Sequence, residues 1–442
     1  MKNTKKLLAL LLAVVMVLGL VACAAAPAET APAEQAAPAE QAAPAEQAAP
    51  AEEAAPAEEA APAEEAAPAD AGEFRIGISV SYTGATAQYG LEAINGLEMA
   101  LEYINANGGF NGATGVMATL YDSKGSTEEA VKSAQKLTQD EDCDAVIASQ
   151  VSSEVLASGN VYNDAKMFTV GMGTSATWMQ QGWDYLIRSS VNYDFVAPNT
   201  IDMMQEMGIT KLAIMFDQSE ASISFKDTVV QLCADAGIEV VAEEACEVED
   251  TDMTSQCTRI IKSEPDAVFC SMSGNDIGYF VKQLRQFGYT GIFFDKESYY
   301  AAAVEIAGAD NSNYILFANP YVTYANLDDC DIPNMHDFLE SYVEHYGELP
   351  STEIAYRAWD SAMVIWEATK LAGSNDTEAM RAVVDQIQIE GLGGPMDYTN
   401  GDGEPYHNVR RFVYVNGLNV DWATWMSEGG YDEYKAATGN EH

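Results

Sequence analysis

Residues 171–178 read GMGTSATW and follow the apolar run MFTV. Glycines 171 and 173 supply backbone conformations that other residues resist, and threonine and serine hydroxyls stand beside them. The stretch is predicted to be a turn leading from a strand into a helix. Such a turn aims free N–H groups and a partial positive charge at whatever lies in front of it, so its natural guest is an anion. A dinucleotide phosphate and a carboxylate both qualify. Gly171, Gly173 and Ala176 do fit G-x-G-x-x-A. That fingerprint belongs on the first βα turn of its unit, with an acidic residue about twenty positions on that closes the next strand. Here the turn is the fourth of its series and Asp194 falls in a crossing segment, which leaves the carboxylate.

Catalysis finds little support. G-x-S-x-G is missing, and no histidine lies near the strand-end serines. His336, His345, His407 and His442 form no ligand-like cluster and there is no CxxC, so no metal is expected. DYTNGDGE at 397–404 has the oxygen-rich look of a calcium loop but lacks the closing glutamate of an EF-hand, and reads as a turn. Hydroxyls and N–H groups without a base are equipment for binding, so the expectation is a protein that is not an enzyme and carries no cofactor.

The elements that must position these groups follow an α/β alternation. FRIGISVS, MATLYDS, DAVIAS and MFTVG read as strands separated by helical stretches, one of them opened by a Ser126/Glu129 capping box. After YLIRSSVNYD a second series begins, with KLAIMFD, IEVVAEEA, DAVFCSM and GIFFD as its strands. Two βα series in tandem imply two doubly wound lobes, which bind ligands at the carboxyl ends of their strands. SQVSSEV and GMGTSATW both sit at such ends in the first lobe. The helix TEIAYRAWDSAMVIWEATKLAG and the strand RRFVYVNG start no third series and are expected to return to lobes already begun.

The N-terminus sets the compartment. MKNTKKLLALLLAVVMVLGLVAC has early lysines, an apolar run and a small-residue ending, the layout of an export signal over residues 1–22. From Cys23 to residue 73 an Ala/Pro/Glu repeat without bulky apolar side chains cannot form a core and reads as a disordered, extended tether. With the three lysines before Cys23 and the eleven acidic residues of 24–72 set aside, 19 basic and 57 acidic residues remain, a net charge of −38. Such a surface excludes nucleic acid as a partner. Six further cysteines in an exported chain permit disulfides, with Cys246–Cys257 the favoured pair.

Taken in order, TGATAQYG, GLEMALEYINANGG, SSEVLASGNVYNDAKMF, GTSATW before QGWDYLIRSS, QLRQFGYTG and GGPMDYTNGDGEPY resemble the substrate-binding proteins of branched-chain amino acid ABC transporters, type I periplasmic binding proteins of the leucine/isoleucine/valine-binding kind. The similarity runs from about Phe74 to Trp425, and LVAC resembles a lipobox with Cys23 as its lipidation site. The resemblance implies two Rossmann-like lobes joined by three crossovers, the first of residues 74–192 and 321–407 and the second of 193–320 and 408–442. It implies an extracytoplasmic protein, held by its N-terminal lipid on the outer face of the cytoplasmic membrane, that closes on an amino acid or analogue and delivers it to a permease. A sensor coupled to a signalling partner, or a binder of amides or urea, would use the same fold. By motif, Tyr89 lines the pocket, Ser152 with Ser153 meets the carboxylate, and the turn contributes Gly173 and Thr174, or Thr174 and Ser175. In the second lobe the family's Tyr-Gly falls on Ala221 and Ser222, and its next aromatic on Ser273 or Gly274. The ammonium acceptor falls in FDKES, on Lys296 by direct count and on Asp295 or Glu297 with a one-residue shift. Trp178 and Tyr193 are open between pocket and core.

Overall fold

Parallel strands with helices on both faces are buried on both sides, so they read as continuous apolar runs, and that is how this chain builds its two main sheets. The computed structural model describes residues 72–442 apart from Ala85, Asp140, Glu141, Ser273, Gly274, Ser298, Asp331, Asn408 and His442. Cys23 and the Ala/Pro/Glu repeat lie outside the described residues. The first sheet contains β1 (Glu73–Val80), β2 (Thr114–Asp122), β3 (Ala145–Ala148), β4 (Thr169–Gly171) and β5 (Leu186–Arg188), all parallel in the order β2-β1-β3-β4-β5. Phe74, Ile76, Ile78 and Val80 of β1 are fully buried.

The second series gives β6 (Lys211–Asp217), β7 (Glu239–Cys246), β8 (Ala267–Ser271), β9 (Ile292–Asp295) and β10 (Ile315–Asn319), again parallel. A small hairpin of β11 (Gln388–Gly391) and β12 (Gly394–Asp397) stands apart. The late strands β13 (Arg410–Val415) and β14 (Leu418–Asp421) extend the second sheet antiparallel beyond β10. Their two-residue connection is Asn416-Gly417, both at positive φ (53° and 86°), the backbone that a tight hairpin needs.

Three crossings join the sheets. After β5 the helix Tyr193–Glu206 packs on the helix Glu220–Ala236 and on β10. After β10 the helix Pro333–Tyr346 returns to the first sheet's side, where Tyr342 and Tyr346 bond Asn95 of the helix Ala87–Ala106. After β12 the chain crosses once more into β13. The helix Ile354–Ala372 packs along Ala87–Ala106, on the first sheet's side.

Buried polar groups knot the crossings together. Arg188, at the end of β5 and fully buried, pairs with Glu404 ahead of β13 at 3.0 Å and stacks 4.4 Å over the Trp178 ring. Asp360 accepts from Tyr321 (2.8 Å), Tyr406 (3.2 Å) and the Leu392 N–H (2.9 Å), and Tyr321 also donates to the Ser189 carbonyl. One carboxylate thereby touches residues from the second and third crossings, and through Tyr321 the first.

Three expectations are corrected. The chain after β4 enters no α-helix: Trp178 folds back, donates to the Gly173 carbonyl at 3.2 Å, and leads through a short 3-10 turn into β5. Cys246 and Cys257 are both free thiols, so Cys246–Cys257 is no disulfide. The capping box is half made, since Ser126 Oγ accepts from the Glu129 N–H at 3.4 Å while the Glu129 carboxylate pairs with Lys132.

Burial pushes the Asp360 carboxyl up to about 6. The folded state therefore holds a proton that the unfolded chain releases nearer pH 4, and this group's contribution is fully present below pH 4 and lost as pH rises through 6. Asp360→Asn should flatten the pH dependence of urea-unfolding free energy between pH 4 and 6.5 by about 3 kcal/mol relative to wild type. An unchanged slope would refute the assignment. Glu404→Gln leaves Arg188 buried without its counter-charge and should cost about 3–5 kcal/mol in the same assay.

Candidate functional site

A cavity of about 360 Å³ lies between the two sheets at the carboxyl ends of their strands. Its first-lobe wall carries Tyr89, Ser152, Ser153 and Thr174; its second-lobe wall carries Ser219, Glu220, Ala221, Glu297 and Tyr300. Arg357 and Ile354, from the start of the helix Ile354–Ala372, complete it.

One end of the cavity is formed by the start of the helix Ser152–Asp164. Val151 occupies its N-cap position and no side chain caps it, so the first-turn N–H groups of Ser152 and Ser153 are offered to the cavity. Ser152 Oγ accepts from the Thr174 N–H (3.1 Å) and the Ser175 N–H (3.2 Å). With its lone pairs so engaged, the hydroxyl is left to donate its proton outward. Gly173 makes this approach possible: a Cβ there would stand 2.9 Å from Ser152 Oγ and 3.0 Å from Ser152 Cα. Glu154, one turn into the helix, accepts from Ser81 (3.1 Å), Ser123 (2.7 Å) and Ser149, which follow β1, β2 and β3. That carboxyl, raised by burial, pins the helix start to three strand ends.

The opposite end is acidic. Glu297 accepts from Tyr193 OH (2.5 Å) and Tyr300 OH (2.7 Å), with Lys296 Nζ at 3.7 Å. Burial works to raise its pKa, but the charges of Lys296 and Arg357 and the two phenol hydrogen bonds outweigh it and hold the carboxyl below its ordinary range. Glu297 is thus an anion fixed in place, suited to a ligand cation.

FDKES divides its three candidates by the direction each side chain takes. Glu297 reaches the cavity. Lys296 is turned beneath it to Ser222 Oγ at 2.8 Å and toward the Asp217 charge, and Asp295 stays at the end of β9, 2 % exposed, its carboxyl pushed well up by burial. Ser222 is fully buried in that lysine network, which Ser219 joins at 2.9 Å. Ser175 is also fully buried and donates across the cleft to Glu220 at 2.7 Å, a contact that closes one lobe on the other. Of the sequence candidates, Tyr89, Ser152, Ser153, Thr174 and Glu297 share the cavity wall; Gly173, Ser175, Ser222 and Asp295 lie outside it. Ser273 and Gly274 are outside the described residues. Trp178 and Tyr193 are buried at 0 % and 1 %, the latter stacked on Phe225 at 4.3 Å, so neither forms the wall.

Sequence reasoning missed Glu220, Tyr300 and above all Arg357. A charged pair at 353 and 357, at the start of the helix Ile354–Ala372, was the available signal, and it reads equally well as a surface i,i+4 pair. Among the described residues no cluster of His, Cys, Asp and Glu is placed to hold a metal, and no helix is long and apolar enough to cross a membrane.

The periplasmic binding protein family profile matches residues 73–417. Leu/Ile/Val-binding protein homolog 7 of Brucella melitensis is 23% identical over 338 residues, 74% of this chain and 84% of the relative. The fold is that of a Streptococcus pneumoniae branched-chain amino acid transporter substrate binding protein solved with isoleucine (TM-score 0.68, 22% identity, 79% of this chain and 99% of that one). It is equally that of a Rhodopseudomonas palustris solute binding protein solved with benzoate (TM-score 0.69, 19% identity, 79% and 95%). The match over most of the chain, on two parallel-sheet lobes around a cleft, means that this protein belongs to the periplasmic binding protein family, extracytoplasmic solute-binding proteins rather than enzymes, in its type I form.

Proposed function

We propose that this protein captures an amino acid, branched-chain or a related small polar one, between its lobes and hands it to the permease of an ABC importer. The observation that carries the reading is one cavity with an uncapped helix start at one end and a fixed carboxylate, Glu297, at the other. That pairing matches the two charges of a zwitterion, and a volume of about 360 Å³ suits a small ligand. We take the lobes to be 74–192 with 321–407 and 193–320 with 408–442. Cys23 is the proposed lipid attachment point on the outer face of the cytoplasmic membrane, with the Ala/Pro/Glu repeat as its tether. An aromatic acid, as in the benzoate-bound relative, would use the helix start but leave Glu297 without a cation.

Calorimetry on ligand-free protein tests this. Ser152→Ala and Glu297→Gln should each weaken amino acid binding by about 10- to 100-fold, the range for hydrogen bonds to charged groups. Amino acids should bind and their deaminated counterparts should not; equal binding of both sinks the proposed role of Glu297. Because the Glu297 carboxyl is held below its ordinary range, it stays charged as pH falls from 8 to 5, and affinity should be flat across that interval.

A further inference from the structure

Four buried polar atoms of the cavity wall make neither a hydrogen bond nor an ion pair: Thr86 Oγ1, Tyr89 OH, Arg357 Nε and Glu220 Oε2. Arg357, 3 % exposed, donates from Nη1 to the Met172 carbonyl at 3.3 Å and sets Nη2 against Glu353 as an ion pair, while its Nε makes no hydrogen bond. Glu220 accepts from Ser175 Oγ through Oε1, and its Oε2 is unpaired. Both side chains line the cavity, and both are fastened to the turn Met172–Ser175 beside the helix start of Ser152. Arg357 Nε is a donor and Glu220 Oε2 an acceptor, while the Thr86 and Tyr89 hydroxyls can serve as either. Buried polar groups are nearly always satisfied, so an unmatched pair on a ligand cavity calls for a partner.

Resting on the amino acid reading of the same site, we infer that the ligand is an amino acid whose side chain ends in a carboxamide or ureido group, with its C=O received by Arg357 and its N–H by Glu220. An aliphatic side chain would leave both atoms unpaired. A side-chain carboxylate is a poorer match. Arg357 is already charge-paired with Glu353, which Asn319 also holds at 2.8 Å, and Lys296 is engaged by Glu297 and Asp217. Beside Arg357 the wall therefore offers hydrogen bonds without an unbalanced positive charge, Lys124 standing on the loop after β2, and a carboxylate would meet Glu220 acceptor to acceptor.

The test is calorimetry of the full chain, stripped of carried ligand by unfolding and refolding, against L-glutamine, L-asparagine, L-citrulline, L-glutamate, L-leucine and L-isoleucine. One of the first three should bind at least about 100-fold more tightly than leucine, isoleucine and glutamate. Arg357→Met should weaken that ligand by about 30-fold or more and narrow its advantage over leucine. Leucine, isoleucine or glutamate binding tightest overturns the inference while the amino acid reading stands. Silence across all six overturns both. Should Arg357→Met not fold, the wild-type ranking decides alone.

Discussion

The guanidinium of Arg188 is the constraint on which the rest of the molecule leans. Its Nη atoms donate to the Val191 carbonyl in the first crossing and to the Ser175 carbonyl in the turn beside the cavity, its charge pairs with Glu404 in the third crossing, and its flat face lies on Trp178. Placing such a charge in a dry interior stabilises little on balance, because desolvation offsets the attraction. What it provides is geometry: few other arrangements satisfy a planar fork with this many acceptors. The position of the turn beside the cavity is consequently tied to the angle at which the chain passes between lobes. Asp360 repeats the device on the other side of the knot, with two tyrosines from different crossings as its donors.

Much of the fold is legible in the sequence because parallel strands covered on both faces are unbroken apolar runs. What escapes reading is short or oddly placed. β5 is three residues, LIR, ending on an arginine, and β10 follows a seven-residue helix and a 3-10 turn where the alternation had lost its rhythm. The GMGTSATW turn lies at a strand end, but the uncapped helix start beside it belongs to the helix that follows the preceding strand. The glycines serve close approach to Ser152 rather than a helix start of their own.

The site is legible only to the resolution of one residue, and the physics explains why. At the end of a strand successive side chains leave in opposite directions, so Asp295, Lys296 and Glu297 meet three different environments although they are neighbours. No pattern in FDKES says which one faces the cleft; the packing of the helix Glu220–Ala236 does, by supplying Ser222 as a berth for the lysine. Arg357 is a similar case, since only the approach of Met172 and Glu353 turns a helical arginine into part of a wall.

The free cysteines bear on how such a molecule lives outside the cell membrane. Five of the six are buried, and desolvation pushes the Cys233, Cys246 and Cys257 thiols up to about 12, so they remain protonated and poor nucleophiles. The native state then needs no oxidant to mature and no isomerase to correct its pairings. Among the described residues, the endurance of the buried core rests on noncovalent packing and is little touched by the redox poise of the surroundings once that core has closed over its sulfur.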